Sequence, residues 1–246
     1  MNTTRKLLIA ANLKMNRLPD GALDDDSPYR EKGNVDVIAI PTLLDIQQCL
    51  DAQIITGAQV GQCHNETTGA HTGDISMQML ADVGVRYVLC GHSERREFHG
   101  ETDEDVAAQA IAALDANIHP IVCIGESSEE REAKKHEEVI ERQVRALPIE
   151  SDITIAYEPI WAIGENALRA ATSEEAQEMH AFIRSLLSAE RGAITRILYG
   201  GSLKKKNAKE LLSQKDIDGG LIGGASLNLE EEFAEIVKIA QELSQE

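Results

Sequence analysis

Glu158 closes the apolar run Ile153-Thr154-Ile155-Ala156, one residue after Tyr157, and Pro159 follows it. A β-branched run of that length suits a buried parallel strand. Pro159 has no amide hydrogen, so the sheet stops there. The loop it begins, Pro159-Ile160-Trp161-Ala162-Ile163-Gly164, has an apolar body and a glycine end. A carboxylate at the tip of a buried strand, beneath such a loop, could act as a general base under a lid. A glutamate at an ordinary turn would look the same locally. The ends of the other strands decide between the two.

Those ends carry complementary chemistry. The first apolar run ends at Asn12, with Lys14 two residues on. The fourth ends in Gly91-His92-Ser93-Glu94-Arg95-Arg96, the seventh in Tyr199-Gly200-Gly201-Ser202, and the eighth in Gly223-Gly224-Ala225-Ser226. Each has a commoner use alone: a solvated lysine, a hydrogen-bonded structural histidine, glycines in tight turns. Together they supply a cation, an imidazole and a carboxylate. The glycine turns add backbone amides at positive helix ends, which suit a phosphate.

The elements that must position these residues follow from hydrophobic patterning. Short apolar runs recur at 7–12, 35–40, 54–59, 87–91, 121–125, 153–158, 197–201 and 220–224. Segments with helical periodicity lie between most of them. Thr102 with Asp105, Ser127 with Glu130, and Thr172 with Glu175 are spaced as capping boxes ahead of helices at 106–114, 129–147 and 174–187. Residues 203–212 and 229–243 are amphipathic as well. Strand and helix alternating in this way predict an α/β fold, a single (β/α)8 barrel spanning 1–246. No GxGxxG follows the first run, so nothing favours an open doubly wound sheet. One unit departs from the pattern. Residues 17–34 contain Pro19, Gly21, Pro28 and Gly33 and few apolar side chains, which predicts that the first outer helix is absent or reduced to an irregular loop. The outer face of the first strands then needs cover from that loop, from neighbouring helices or from another subunit.

The length, 246 residues, matches the roughly 250 that such a barrel uses. Aromatics are only 3% of the chain, so the core must be mostly aliphatic. With 24 Lys and Arg against 42 Asp and Glu, the net charge is −18, which argues against nucleic acid or an anionic membrane as partner. Cys49, Cys63, Cys90 and Cys123 form no CxxC pair, as expected of a reducing cytoplasm. Residues 7–11 are too short an apolar run for a signal peptide, and no stretch approaches a membrane span.

The chain resembles the triosephosphate isomerase family over essentially its full length. The resemblance rests on Asn12-Leu13-Lys14-Met15-Asn16, Gly91-His92-Ser93-Glu94-Arg95-Arg96, Cys123-Ile124-Gly125-Glu126, the stretch from Ala156 to Gly164, Tyr199-Gly200-Gly201-Ser202 and Gly223-Gly224-Ala225-Ser226-Leu227. Several spaced motifs in one order are far more specific than any one alone. The resemblance implies interconversion of dihydroxyacetone phosphate and D-glyceraldehyde 3-phosphate through an enediolate, with no cofactor and no metal. It implies Glu158 as the base, His92 as the electrophile, and Lys14, helped by Asn12, as positive charge beside the substrate oxygens. The phosphate would rest on amides around Gly164, Ser202, Gly223 and Gly224, beneath a lid at 159–164. Cys123 would pack behind Glu158, Glu126 would accept local hydrogen bonds, and Glu94 would pair with Lys14 or with a neighbouring subunit. The family is typically a cytoplasmic homodimer in which a loop, here 61–74, reaches the partner's site with Thr72 near Asn12 and Lys14.

Three departures stand out. Leu13 replaces the usual Trp between the Asn and the Lys, and the first outer helix is missing. After Gly164 the family has Thr-Gly-Lys and then a helix. Here Glu165-Asn166-Ala167-Leu168-Arg169-Ala170-Ala171 intervenes before Thr172, an insertion of about two residues that predicts altered lid behaviour. An isomerase for a larger sugar phosphate, such as a tetrulose phosphate, would keep the same acid–base set and change the lid. A non-catalytic phosphate-binding barrel would have lost the base or the electrophile.

Overall fold

The computed structural model describes residues 5–30, 33–62, 67–163 and 169–245. Eight parallel strands form the centre: β1 (Leu8–Asn12), β2 (Asp36–Ile40), β3 (Gly57–Ala58), β4 (Tyr87–Cys90), β5 (His119–Ile124), β6 (Thr154–Tyr157), β7 (Ile197–Tyr199) and β8 (Gly219–Ile222). They pair in the order β2-β1-β8-β7-β6-β5-β4-β3. A parallel bridge from Ala39 to Thr56 and the bond from the Ala39 amide to the Ile55 carbonyl, 3.0 Å, join β2 to β3 and close the ring. Closure removes the free edges that an open sheet exposes.

Around the strands lie α1 (Ile46–Asp51), α2 (Met77–Val83), α3 (Ser93–His99), α4 (Asp103–Asp115), α5 (Ser128–Glu132), α6 (His136–Ala146), α7 (Ser173–Ser185), α8 (Ala189–Ile194), α9 (Lys205–Leu212) and α10 (Ala234–Leu243). Side chains alternate along each strand. Leu8, Ala10, Ile38, Ile40, Leu89, Ile121, Cys123, Ala156, Leu198 and Leu221 form one cluster, while their neighbours Ile9, Ala11, Val37 and Ala39 join a second with Phe233, Ile236 and Val237. The first is the filled barrel interior, almost wholly aliphatic, and the second is the strand–helix layer.

The three capping boxes form as the spacing predicts, at Thr102/Asp105, Ser127/Glu130 and Thr172/Glu175. The helix expected at 129–147 is two helices. Lys134 turns left-handed (φ 57°), and the amide of Lys135 returns to the Glu130 carbonyl at 2.8 Å, closing α5 in a Schellman turn. A lysine replaces the usual glycine there, so the stop carried no sequence signal. The helix expected at 229–243 opens with a π turn, Leu229–Phe233, in which the Phe233 amide reaches the Asn228 carbonyl at 3.0 Å. The third strand is only two residues long.

No helix forms among the described residues between β1 and β2. Successive turns bond Ala22 to Pro19, Asp24 to Gly21, Ser27 to Asp24 and Arg30 to Ser27. This loop covers the barrel itself. Tyr29 is fully buried, meets Phe233 edge-on at 5.2 Å and donates its hydroxyl to the Ser226 carbonyl at 2.6 Å. Leu13 is also fully buried in that cluster, which explains how an aliphatic residue serves at its position. On the opposite rim, Arg184 of α7 binds Asp216 (2.7 Å), Asp218 (2.6 Å) and the carbonyls of Gly192 and Thr195 (2.9 Å each), tying the outer helices to the start of β8. No helix among the described residues is long and apolar enough to cross a membrane.

Candidate active site

The C-terminal ends of β1, β4, β6, β7 and β8 surround a cavity of about 460 Å³. Asn12, Lys14, His92, Glu158, Ser202, Gly223 and Gly224 all line it. Gly164 lies outside the described residues. Side chains as far apart in sequence as those of Asn12 and Ser202 thus meet on one rim, as the strand ends predict.

β6 delivers Glu158. Its amide bonds the Ile124 carbonyl at 2.7 Å, the last rung beside β5, and Pro159 then turns the chain into a short 3-10 helix, Ile160–Ala162. This crossing is close: a Cβ on Gly125 would lie 1.8 Å from the Glu158 carbonyl oxygen, so only glycine lets β5 end here. The Glu158 side chain is 2% exposed. One carboxylate oxygen accepts the Ser93 amide (2.8 Å) at the start of α3, and the other meets His92 Nε2 at 3.0 Å. Burial disfavours the charge on Glu158, but His92, the Ser93 amide and Lys14 outweigh it, and the pKa falls below the ordinary carboxylate value. Cys123 lies beneath. Burial and the Glu158 charge push its thiol well above the usual thiol range, so it is inert filling.

His92 is the N-cap residue of α3, and its Nδ1 accepts the Glu94 amide at 3.2 Å. An acceptor at Nδ1 puts the proton of the neutral ring on Nε2, the nitrogen facing Glu158. Burial opposes a charge on the ring, yet the adjacent Glu158 carboxylate raises its pKa overall. The two groups are one coupled pair.

Lys14 stands just past β1 with φ at 51°, a left-handed conformation that costs a non-glycine residue about 1 kcal/mol or more. Two side chains hold it there. Asn12 Oδ1 accepts the Lys14 amide at 3.0 Å, and Gln59 donates to the Lys14 carbonyl at 2.7 Å. The ammonium then runs past Gly223, where a Cβ would stand 3.1 Å from Lys14 Cε, and ends on Glu94 at 2.6 Å. Glu94 therefore has its partner within the chain. Gln59 carried no motif and was not foreseen as part of the site.

Glu126 is fully buried and accepts from the Tyr157 hydroxyl (3.0 Å), Trp161 Nε1 (2.8 Å) and Arg131 (3.0 Å). It thereby anchors the first half of the lid segment. Trp161 carries two guanidinium groups over its ring, Arg131 at 4.6 Å and Arg169 at 4.9 Å. Of the altered hinge, 164–168 lies outside the described residues, while Arg169 forks onto Glu175 at 2.6 Å through both terminal nitrogens. The cavity is completed by Ile163 of the lid segment and by Leu203, Lys204, Leu221, Asn228 and Glu232, none of the latter five announced by a motif. Thr72 is exposed. In loop 61–74, residues 63–66 lie outside the described residues.

A base held ionised, a ring donor against it, a lysine and a glycine-lined wall can together remove a proton from a carbon acid and stabilise the resulting oxyanion. Comparison with known proteins agrees. The family model for triosephosphate isomerase matches residues 7–240. The chain is 44% identical over 242 residues to the triosephosphate isomerase of Alkaliphilus oremlandii, covering 92% of this chain and 97% of the other. It is 45% identical to that of Paracidovorax citrulli over 257 residues, 96% of this chain and 99% of the other. It is likewise 45% identical to that of Delftia acidovorans over 253 residues, 96% of this chain and 100% of the other. With a family match over residues 7–240 and relatives about 45% identical over nearly the whole chain, the chain belongs to the triosephosphate isomerase family.

Proposed function

We propose that Glu158, His92, Lys14 and Asn12 carry out the family's reaction in this chain, the interconversion of dihydroxyacetone phosphate and D-glyceraldehyde 3-phosphate. The observation that carries this assignment is the contact of Glu158 with His92 Nε2, 3.0 Å, at a cavity also lined by Lys14 and Gly223. Glu158 takes a proton from the hydroxymethyl carbon of the ketose, and the electron pair moves onto the carbonyl oxygen. His92 Nε2–H donates a hydrogen bond to that oxygen, and Lys14 adds positive charge. The proton of the neighbouring hydroxyl oxygen then passes to the former carbonyl oxygen, and Glu158 returns its own proton to the carbon that bore the carbonyl, so that the new carbonyl of the aldose forms on the other carbon. To reach the substrate carbon, Glu158 must leave the Ser93 amide and His92. The carboxylate that raises the His92 pKa then moves off, which favours the neutral ring as donor.

The phosphate rests on the backbone around Ser202, Gly223 and Gly224, with Gly164 brought over it as the lid at 159–164 closes. Closure excludes water and limits loss of phosphate from the enediolate; this family's lid is itself a standard case of such gating. The chain acts as one barrel, 1–246, without cofactor or metal. It pairs as a homodimer through loop 61–74, placing Thr72 near the partner's site. Met15, Leu43 and Leu44 support a buried face there, being 95%, 57% and 74% exposed in the single chain. Cys49, Cys90 and Cys123, free and buried, suit the cytoplasm.

Replacing Glu158 with Gln tests the assignment: kcat should fall at least ~10²–10⁴-fold. A fully active variant would refute the mechanism. Parallel assays on triose and tetrulose phosphates test the substrate, and light scattering tests the dimer.

A further inference from the structure

Two lysines line the cavity, and they differ in how they are held. Lys14 is committed to Glu94 at 2.6 Å. Lys204 is exposed, and no ion pair to it forms among the described residues. Its backbone is fixed. The Lys204 amide donates to Asn207 Oδ1 at 2.8 Å as the N-cap of α9, and Asn207 in turn donates to the Ser202 carbonyl at 3.0 Å. The stem of Lys204 thus starts from an anchored turn two residues beyond Ser202, on the glycine-lined wall. Glu232 lines the same wall, but its carboxylate is engaged by the Lys205 amide at 3.0 Å.

This cavity has a charge problem. Its lining carries Lys14 and Lys204 against Glu158 and Glu232, with Glu94 on Lys14, inside a chain of net charge −18. A doubly charged phosphate approaching it meets a repulsive field, and the cation most able to turn toward it is the uncommitted one. The geometry points to Lys204 as a further substrate-binding residue, one that swings over the phosphate seated at Ser202, Gly223 and Gly224 and selects for the doubly charged ester. Glu232, anchored on Lys205, sets a counter-charge that makes Lys204 necessary rather than additive. The assignment takes the isomerase reading above as given, and it differs from the role of Lys14, which serves the reacting oxygens.

Steady-state kinetics and phosphate binding test it together. In Lys204→Gln, kcat/KM for the triose phosphates should fall roughly tenfold through KM, and in Lys204→Glu roughly a hundredfold, as expected for one and two charges lost a few ångströms from a dianion near the surface. kcat at saturation should move less than twofold. The rate with unphosphorylated glyceraldehyde should also stay within twofold, which a misfolded site would not allow. Lys204→Arg should restore most of the loss. Lys206→Gln, the same charge change on an exposed residue outside the cavity lining, should leave all parameters within twofold. Direct titration with inorganic phosphate should show the Lys204→Glu affinity about tenfold or more below that of the parent. Equal phosphate affinity in parent and Lys204→Glu overturns the role of Lys204. A parent chain that binds phosphate in a Lys204-dependent way but does not isomerise triose phosphates overturns the isomerase reading and leaves Lys204 standing.

Discussion

Replacing Arg169 with Ala should shift the lid toward its closed position by about two- to fivefold. Arg169 belongs to the altered hinge, and its guanidinium lies 4.9 Å from the Trp161 ring while that of Arg131 lies at 4.6 Å. Each guanidinium is tethered, Arg131 to Glu126 at 3.0 Å and Arg169 to Glu175 at 2.6 Å. The hydrogen bonds from Arg169, against a smaller effect of burial, hold the Glu175 carboxyl down to about 2, so the tether stays charged across the working range. Lid closure is taken to draw the indole away from these two guanidinium groups. An exposed cation–π contact contributes about 0.5–1 kcal/mol, which corresponds to the two- to fivefold shift. The ion pair with Glu175 is exposed and screened, and it survives lid movement, so it adds little. Stability should change by less than about 0.5 kcal/mol, because Thr172 and Glu175 keep their capping box without Arg169.

Trp161 is the only tryptophan in the chain, so its emission reports on these contacts directly. In Arg169→Ala the free protein should already show part of the emission change that an anionic mimic of the enediolate induces in the parent. The mimic should bind about two- to fivefold tighter, and lid opening measured by temperature jump should slow or closing should quicken by the same factor. Arg169→Lys, which keeps charge but loses the planar fork, should fall between the two. Identical emission, identical mimic affinity and identical relaxation rates in parent and Arg169→Ala would refute this role for Arg169.

The remaining expectations concern titration and stability. Glu158 is lowered in the folded chain and His92 is raised. The stability that Glu158 contributes is present above about pH 4.5 and lost as pH falls through its depressed folded value, while that of His92 is present below about 6.5 and lost as pH rises through its elevated one. The stability gap between the parent and Glu158→Gln in urea melts should therefore be widest between those limits, and a gap independent of pH would contradict the pairing. His180 is fully buried, and burial drives its pKa down to about 3. The unfolded chain binds its proton first as pH falls, so this residue should cost the parent roughly 2 kcal/mol between pH 7.5 and 5. His180→Gln, which takes up no proton, should remove that slope from the urea melts. Arg184→Ala should destabilise by about 3–5 kcal/mol in the same assay, because it removes the cation paired with Asp216 and one of the two on Asp218, which keeps Arg5, and Arg184→Lys should recover only part of it.

The barrel was legible because its signals are local. Apolar runs ending in Asn12, Gly91 or Glu158, and boxes such as Thr172/Glu175, each declare an element from within a few residues. The boundaries that escaped notice are those where an ordinary residue does an unusual thing. Lys134 adopts a glycine conformation to end α5, and Asn228 starts a π turn. Most partners within the site escaped for a different reason. Lys14 and Glu94 are 80 residues apart, and the family resemblance implies their pairing only as one of two options, while Glu158 and Ser93 are 65 apart and Gln59 reaches Lys14 across 45. Only closure of the barrel brings such pairs together, so spacing could show which groups share a rim but not which of them touch.

Those contacts give the site a common logic. Each reacting group is held by something that substrate has to replace. Lys14 lies on Glu94, and the two oxygens of Glu158 lie on Ser93 and His92. A buried carboxylate without those donors would rise in pKa and lose its charge, and a base that is neutral at rest cannot take a proton. On the proposed mechanism the same donors that keep Glu158 ionised would hold it away from the substrate carbon, so the motion that frees it would be driven by binding. The phosphate is the part of the substrate with binding energy to give without taking part in bond making. On the same mechanism its grip on the glycine wall, and on Lys204, would be coupled through the lid to the release of Glu158. The insertion that includes Arg169 would, on this proposed mechanism, act at that coupling, changing how much of the phosphate's binding energy is used to lift Trp161 while leaving the proton-transfer groups untouched.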